Sequence, residues 1–263
     1  MTPVLMLGAG RMGGALIEGW LAAGLLAPNS LMIRDPEPGP AAEAAAEAGA
    51  ALNPPDDTLG VARTVILAVK PQIWRTVAGE VADLLAPEAV IISIAAGVRL
   101  DAISEAFGGR ACARVMPTTA AAIRQGTASL YAADEEAFAR ASELMAAVGT
   151  VVRLPDEDLM HAATAVSGSS PAYLYAFVEA LEAAACASGI APQDAAALVR
   201  STLCGAAALM GRSPLPPSEL RRQVTSPGGT TEAALHVLQG EAGLGPLLGE
   251  AVQAAVRRSR ELG

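Results

Sequence analysis

Short apolar runs recur through the first hundred or so residues, at 4–7, 31–33, 64–69 and 90–95, and each ends at a glycine, a charge or an Ala-Gly pair. Runs of this length without polar alternation predict strands buried on both faces, as in a parallel sheet. Helical spacing of apolar positions fills the gaps: through residues 21–24 after the first strand, over 40–50, and over 72–85, the last long enough for a crossover between parallel strands. Pro54-Pro55-Asp56-Asp57 introduces a short helix before the third of these strands. Residues 110–116, 127–131 and 151–154 read as further strands, with a helix over 135–148. From Asp156 onward the strand signal disappears, and helical patterns alternate with breaks at Pro171, Pro192, Pro214 to Pro217 and Gly243 to Pro246. The pattern predicts an α/β domain over 1–155, with a doubly wound, mostly parallel sheet, followed by an all-α domain over 156–263. Within the second, residues 172–188 are nearly all apolar or small around the circumference, and a helix apolar on every side must be buried on every side. One short helical domain cannot easily enclose it, so a partner chain is expected, in a homodimer or a higher homo-oligomer. Burial inside a monomeric bundle is the alternative.

The first strand leads into Gly8-Ala9-Gly10-Arg11-Met12-Gly13, a G-x-G-x-x-G run in the strand-turn-helix setting that gives the motif its meaning. Gly8 permits the tight turn, Gly10 lets the backbone approach a pyrophosphate, and Gly13 lets the helix lie close to the strand. Arg11 and Met12 open the helix whose positive end faces the anion. A Rossmann-type dinucleotide site follows. Asp35 comes about 20 residues after Gly13, where an acid meets a ribose hydroxyl. Arg34 beside it could instead face a 2′-phosphate. Strand-end residues Ala68, Val69, Lys70 and Pro71, and Ala95, Ala96 and Gly97, lie where a nicotinamide would extend, because ligands sit at the carboxyl ends of strands. By residue type alone Lys70 is equally a solvated strand-end charge.

Composition narrows the remaining classes. The chain has 263 residues, enough for about two domains, and a net charge of −9 that argues against binding a phosphate backbone. Cys112, Cys186 and Cys204 share no metal-ligand spacing with one another or with His161 and His236, so no metal is expected and the thiols read as buried small apolar groups. The opening apolar run is of strand length without a basic leader, and the later apolar stretches are broken by Glu, Arg or Gly. A cytoplasmic protein that crosses no membrane is the expectation.

The most informative stretch is Gln-Val-Thr-Ser-Pro-Gly-Gly-Thr-Thr-Glu-Ala-Ala-Leu-His-Val-Leu at residues 223–238. Pro227 and two glycines forbid helix from Ser226 to Gly229, and Thr230 opens one. The N–H groups of Gly228, Gly229 and Thr230 are expected to lack intrahelical partners and to admit a carboxylate. An arbitrary Pro-Gly-Gly would be no more than a capped helix. This run resembles the signature of pyrroline-5-carboxylate reductases, and the resemblance extends from Gly8 to about Leu262. Ala68-Val69-Lys70-Pro71 and Ile94-Ala95-Ala96-Gly97 resemble cofactor-lining segments of that family. Ala165 to Tyr173 resembles the segment lining the pocket opposite the bend, which places Val166, Ser167 and Gly168 there.

The resemblance implies reduction of 1-pyrroline-5-carboxylate to L-proline by NAD(P)H, the last step of proline biosynthesis, with a helical C-terminal domain that interleaves with its twin. It implies that Ser226, Gly228, Gly229 and Thr230 hold the substrate carboxylate and that the Thr231 hydroxyl meets the imine nitrogen, with Thr231 and Ser226 as catalytic residues. A protonated cyclic imine is already electrophilic, so such an enzyme needs placement more than a strong acid, and His161 and His236 read as structural. Asp35 favours NADH over NADPH, and Arg34 opposes it. Two residues depart from the family's usual Met-Pro-Asn-Thr-Pro, Thr118 and Ala120. They leave open a non-catalytic nucleotide-sensing protein of the same fold. A related imine or hydroxy-acid reductase is the other alternative, and its usual central-helix lysine has no counterpart, since Lys70 is the only lysine in the chain.

Overall fold

The structure is a computed structural model that describes residues 1–261. Eight strands make one sheet: β1 (Val4–Leu7), β2 (Leu31–Arg34), β3 (Ala51–Leu52), β4 (Thr64–Leu67), β5 (Val90–Ser93), β6 (Cys112–Pro117), β7 (Gly126–Tyr131) and β8 (Gly149–Arg153). Their order is β3-β2-β1-β4-β5-β6-β7-β8, with every neighbouring pair parallel except β6 and β7. The sheet is therefore doubly wound and mostly parallel. The chain reverses direction across the sheet between β1 and β4, and the glycine loop leaves β1 at that switch point, where ligands of open α/β sheets bind.

Alternation along each strand divides the core in two. Val4 and Met6 enter the cluster completed by Leu16, Ile17 and Trp20 of α1 (Arg11–Ala22), Ala42 and Ala45 of α2 (Pro40–Glu47) and, after α3 (Trp74–Val81) and α4 (Leu100–Ala106), Ala141 and Leu144 of α5 (Glu135–Ala146). Leu5 and Leu7 enter the other, with Trp74, Ala78 and Val81 of α3 and Ile103 of α4. Trp20 is fully buried, and its Nε1–H donates to the Leu144 carbonyl at 2.7 Å. Gly19 on the same helix lies against the 3₁₀ turn at Thr119–Ile123, where a Cβ would stand 2.3 Å from the Ala121 carbonyl oxygen.

Several bounds differ from the sequence reading. The strands expected over 64–69 and 90–95 end at Leu67 and Ser93, because the Ala68 and Ile94 N–H groups make the last ladder bonds, to Leu7 and Leu67, before the chain turns away. The helix expected over 72–85 is α3 followed by a 3₁₀ turn at Ala82–Leu84. β3 is an unanticipated edge strand, too short at two residues to show any period. The short helix after Pro54-Pro55 is a 3₁₀ helix at Asp56–Val61.

Beyond β8 come α6 (Leu159–Ala163), a π-helical turn (Thr164–Gly168), α7 (Ser170–Ala187), α8 (Pro192–Arg212), α9 (Pro217–Gln223), α10 (Thr230–Leu238) and α11 (Leu244–Glu261). Contacts divide the chain into one unit formed by Met1–Gly168 with the chain from Ala254, and another formed by Ser169–Gln253. In the second unit α7 buries no residue, and Leu174 and Tyr175 are 51% and 62% exposed. The monomeric-bundle alternative fails on this point. Cys186 and Cys204, expected to be buried, are exposed on α7 and α8, while Cys112 of β6 is buried as expected. No helix among the described residues is long and apolar enough to cross a membrane.

The Gly19 contact yields a direct test. In Gly19→Ala the new methyl group meets backbone, which cannot rotate away, so thermal or urea unfolding should show a loss of about 1–3 kcal/mol. Unchanged stability would mean that α1 is not seated as closely as described.

Candidate active site

The glycine loop is built by crowding on one side and openness on the other. Gly8 has φ +93°, and a Cβ there would lie 2.9 Å from the Ala68 backbone and from Cγ1 of Val69. At Gly13 a Cβ would be 2.4 Å from the Gly8 carbonyl oxygen, whereas at Gly10 it would meet nothing within 4 Å. Only glycine fits the first two positions, and the third leaves room for a ligand against the backbone. α1 has no acidic residue in its first turn, and the N–H groups of Arg11, Met12 and Gly13 have no hydrogen-bond partner among the described residues. These residues fit a dinucleotide pyrophosphate.

At the end of β2 the two candidates for reading the ribose part company. Asp35 Oδ2 accepts the Ala9 N–H at 2.6 Å, so its carboxylate sits against the glycine loop. Arg34 donates to Asp56 Oδ1 at 2.6 Å and is held by that pair. Asn53, which the sequence reading passed over, fixes Asp35: its Oδ1 accepts the Asp35 N–H and its Nδ2 donates to the Asp35 carbonyl, both at 2.9 Å. Asn53 has φ +47°, a conformation that asparagine tolerates better than most residues. Asparagine at a strand end before two prolines was the available signal.

Farther along the sheet, Ala68 and Val69 line the Gly8 contact, and Lys70 is exposed, with its carbonyl accepting the Ile73 N–H at 3.1 Å ahead of Pro71. After β5, Ala95 is buried and Gly97 turns the chain with φ +82° into α4. Thr118, one of the two departures from the family pattern, makes a hydrogen bond of its own. Its buried Oγ1 accepts the Thr127 N–H at 3.0 Å and so pins β7 behind the Thr119–Ile123 turn that carries Ala120.

Two charged side chains lie buried nearby, Arg114 of β6 and Glu157. Glu157 Oε1 accepts Arg114 Nη1 at 2.5 Å and the Leu100 N–H, which opens α4, at 2.7 Å, while Oε2 lies 3.4 Å from Arg99. Val166, Ser167 and Gly168 fall in the π-helical turn, a form that recurs at functional sites. The Ser167 hydroxyl donates to the Ala163 carbonyl at 2.8 Å, and a Cβ on Gly168 would stand 3.3 Å from Met116 Sδ. His161 Nδ1 lies 3.0 Å from Ser259 Oγ, and burial, with the Arg114 and Arg260 charges, holds its pKa below the usual range, so the ring is neutral at pH 7. Burial pushes the Cys112 thiol up to about 12, which leaves it an unreactive neutral group.

In the second unit the bend is present, but its open donors differ from those expected. The Gly228 N–H donates to Glu232 Oε2 at 2.7 Å and the Gly229 N–H to the Ser226 carbonyl at 3.0 Å, so both are already used within the bend. Gly228 has φ +68° and Gly229 is the N-cap of α10. In α10 the N–H groups of Thr230, Thr231 and Glu232, its first turn, have no hydrogen-bond partner among the described residues. The expectation for Gly228 and Gly229 is corrected in this respect: a glutamate at the third helical position reaches back over the cap, as in a capping box. Ser226 and Thr231 are exposed, so their hydroxyls are accessible.

Known proteins resemble this chain along nearly its whole length. A family model described as pyrroline-5-carboxylate reductase dimerisation matches residues 157–262, and one described as NADP oxidoreductase coenzyme F420-dependent matches residues 3–97. Pyrroline-5-carboxylate reductase of Pseudomonas aeruginosa is 38% identical over 99% of this chain and 97% of its own length, and that of Methanosarcina acetivorans is 36% identical over 98% and 96%. The solved structure of a pyrroline-5-carboxylate reductase from Coxiella burnetii superposes with a TM-score of 0.90 at 32% identity, covering 100% of this chain and 98% of that one. With a glycine loop open to a dinucleotide, a Pro-Gly-Gly bend opening a helix, and relatives that match along nearly the whole chain, the protein belongs to the pyrroline-5-carboxylate reductase family.

Proposed function

We propose that the protein is an NAD(P)H-dependent oxidoreductase that reduces 1-pyrroline-5-carboxylate to L-proline, the last step of proline biosynthesis, in the cytoplasm. The observation that carries this reading is the bend and helix start at residues 226–232, which present the open N–H groups of Thr230, Thr231 and Glu232 beside two accessible hydroxyls. In this reading those N–H groups and the Ser226 hydroxyl take the substrate carboxylate, and the positive end of α10 favours its charge. Gly228 and Gly229 act by shaping the bend. The protonated imine N–H donates to the Thr231 oxygen, and Val166, Ser167 and Gly168 line the ring of the substrate. Arg11, Met12 and Gly13 hold the cofactor pyrophosphate, while Ala68 to Pro71 and Ala95 to Gly97 flank the nicotinamide. When bound, the reduced nicotinamide supplies the hydride that the imine carbon accepts. The protein contributes placement.

Incubating the purified protein with pyrroline-5-carboxylate and NADH or NADPH, and following loss of the reduced cofactor together with formation of proline, tests the reading as a whole. For Thr231→Ala we expect a fall in kcat/KM equivalent to about 1–3 kcal/mol, the worth of one hydrogen bond that tightens in the transition state, with cofactor affinity unchanged. Turnover equal to wild type would remove Thr231 from the mechanism.

NADH is the preferred cofactor in this reading. The Asp35 carboxylate accepts a glycine-loop N–H while Arg34 is engaged by Asp56, which supports giving the carboxylate the place beside the adenosine ribose. At about 4 Å a 2′-phosphate would be repelled by roughly 4 kcal/mol at an effective dielectric near 20, whereas a ribose hydroxyl can donate to the carboxylate. Asp35→Ser should move the ratio of kcat/KM values toward NADPH. A wild-type enzyme already more efficient with NADPH would assign the ribose end to Arg34.

The functional assembly is a homodimer, or a larger homo-oligomer built from dimers, formed through the helices of the second unit, whose apolar side chains on α7 and α8 are open to solvent in the single chain. Light scattering at micromolar concentration should give at least twice the monomer mass. A fully active monomer would contradict this assembly.

A further inference from the structure

We propose that Arg114 and Glu157 are a positioning pair, a buried clamp that sets the spacing between the turn after β5 and the π-helical turn at Thr164–Gly168. The proposal rests on the reading above that the first of these turns flanks the nicotinamide and the second the substrate. Arg114 is 3% exposed and Glu157 8%, and Arg114 rises from the middle of β6, opposite Ser93 of β5, in a strand otherwise free of charge. An ion pair this deep adds little net stability over apolar side chains of similar volume, so its presence asks for a reason in geometry.

A continuous set of hydrogen bonds supplies that reason. The Leu100 N–H, three residues beyond Gly97, donates to Glu157 Oε1 at 2.7 Å. The Glu157 carbonyl in turn accepts the Met160 N–H at 2.9 Å, and the Met160 carbonyl accepts the Thr164 hydroxyl at 2.7 Å. Thr164 is the first residue of the π-helical turn. One glutamate therefore holds the start of α4 through its carboxylate and the start of α6 through its backbone, while Arg114 anchors that carboxylate to the sheet. Met116, two residues along the same strand, is the side chain against which Gly168 closes the π-helical turn. Neither Arg114 nor Glu157 need touch a ligand: they fix the two turns that would.

The test compares wild type with Glu157→Gln, Glu157→Asp and the double variant R114M/E157L, which removes both charges while keeping apolar volume. Amide hydrogen exchange is measured first, on the protein without cofactor or substrate. The clamp predicts that exchange in Glu157→Gln rises about 10-fold at residues 96–100 and at 164–168 together, with β1 and β4 unchanged. The double variant should fold with similar stability and show the same paired loosening. In turnover with cofactor deuterated at the transferred position, kcat should fall about 10-fold or more in Glu157→Gln, and its isotope effect should rise, with KM for the cofactor within about 3-fold of wild type. Glu157→Asp, which keeps the charge, should recover part of kcat. A purely structural role would lower the active fraction and leave the isotope effect where it was. Loosening confined to the residues around 157, or an unchanged isotope effect in a folded variant, would overturn the proposal. Wild-type protein that fails to reduce pyrroline-5-carboxylate would count against the substrate assignment alone, since the exchange measurement decides the clamp without substrate.

Discussion

The backbone at Gly8 passes so close to Ala68 that no side chain fits between them, and the rest of the first unit is arranged around that passage. Because β1 and β4 are neighbours at the switch point, the chain leaving β1 must turn immediately over the end of β4. Gly13 then brings α1 back over the Gly8 carbonyl. The turn is held from the far side by Asp35, whose carboxylate takes the Ala9 N–H, and Asp35 is held by Asn53. A chain of close approaches thus fixes the direction of the first turn of α1, where backbone donors are presented as a group and need no further adjustment to meet an anion.

Both ends of the proposed substrate-and-cofactor machinery rely on helix N-termini, yet they treat their spare donors differently. At α1 the cap is Gly10, which offers no side chain, and three N–H groups stay open. At α10 the glutamate at the third position covers the donor before the cap and leaves the first turn open. The result is a bend stiffened by its own helix. Its left-handed residue, Gly228, is locked by a charge-assisted hydrogen bond where a flexible glycine pair would otherwise cost entropy to order.

Much of this was legible in the chain. The buried strands and the switch-point glycines could be read because their signals are local: unbroken apolar runs, and glycine where a Cβ has no room. The bend was legible as a break followed by a helix start, but which N–H groups stay open depends on where the Glu232 side chain reaches, and no spacing rule decides that. Asn53 and Glu157 escaped because they act at long range, on residues 18 and 57 positions away. Arg114 did leave a trace, a single cation in the apolar run Cys112-Ala113-Arg114-Val115-Met116, although nothing local identifies its partner. Strand ends were overestimated at Val69 and Ala95 because apolar character continues past the last ladder bond into turns that are themselves buried or half-buried. The exposure of Cys186 and Cys204 has a similar origin, since hydropathy reports that a helix wants cover and not which chain provides it.

The uncovered apolar face of α7 and α8 also changes what stability means for this protein. A free energy of unfolding defined for one chain omits whatever covers Leu174, Tyr175 and their neighbours. If association supplies that burial, dilution alone destabilises the second unit, and its melting temperature becomes a function of protein concentration by mass action. On the same condition, a newly made chain would carry an uncovered helical surface with two accessible thiols, Cys186 and Cys204, until association covers it. Rate of synthesis, as much as sequence, would then govern how much of it reaches a lasting folded form.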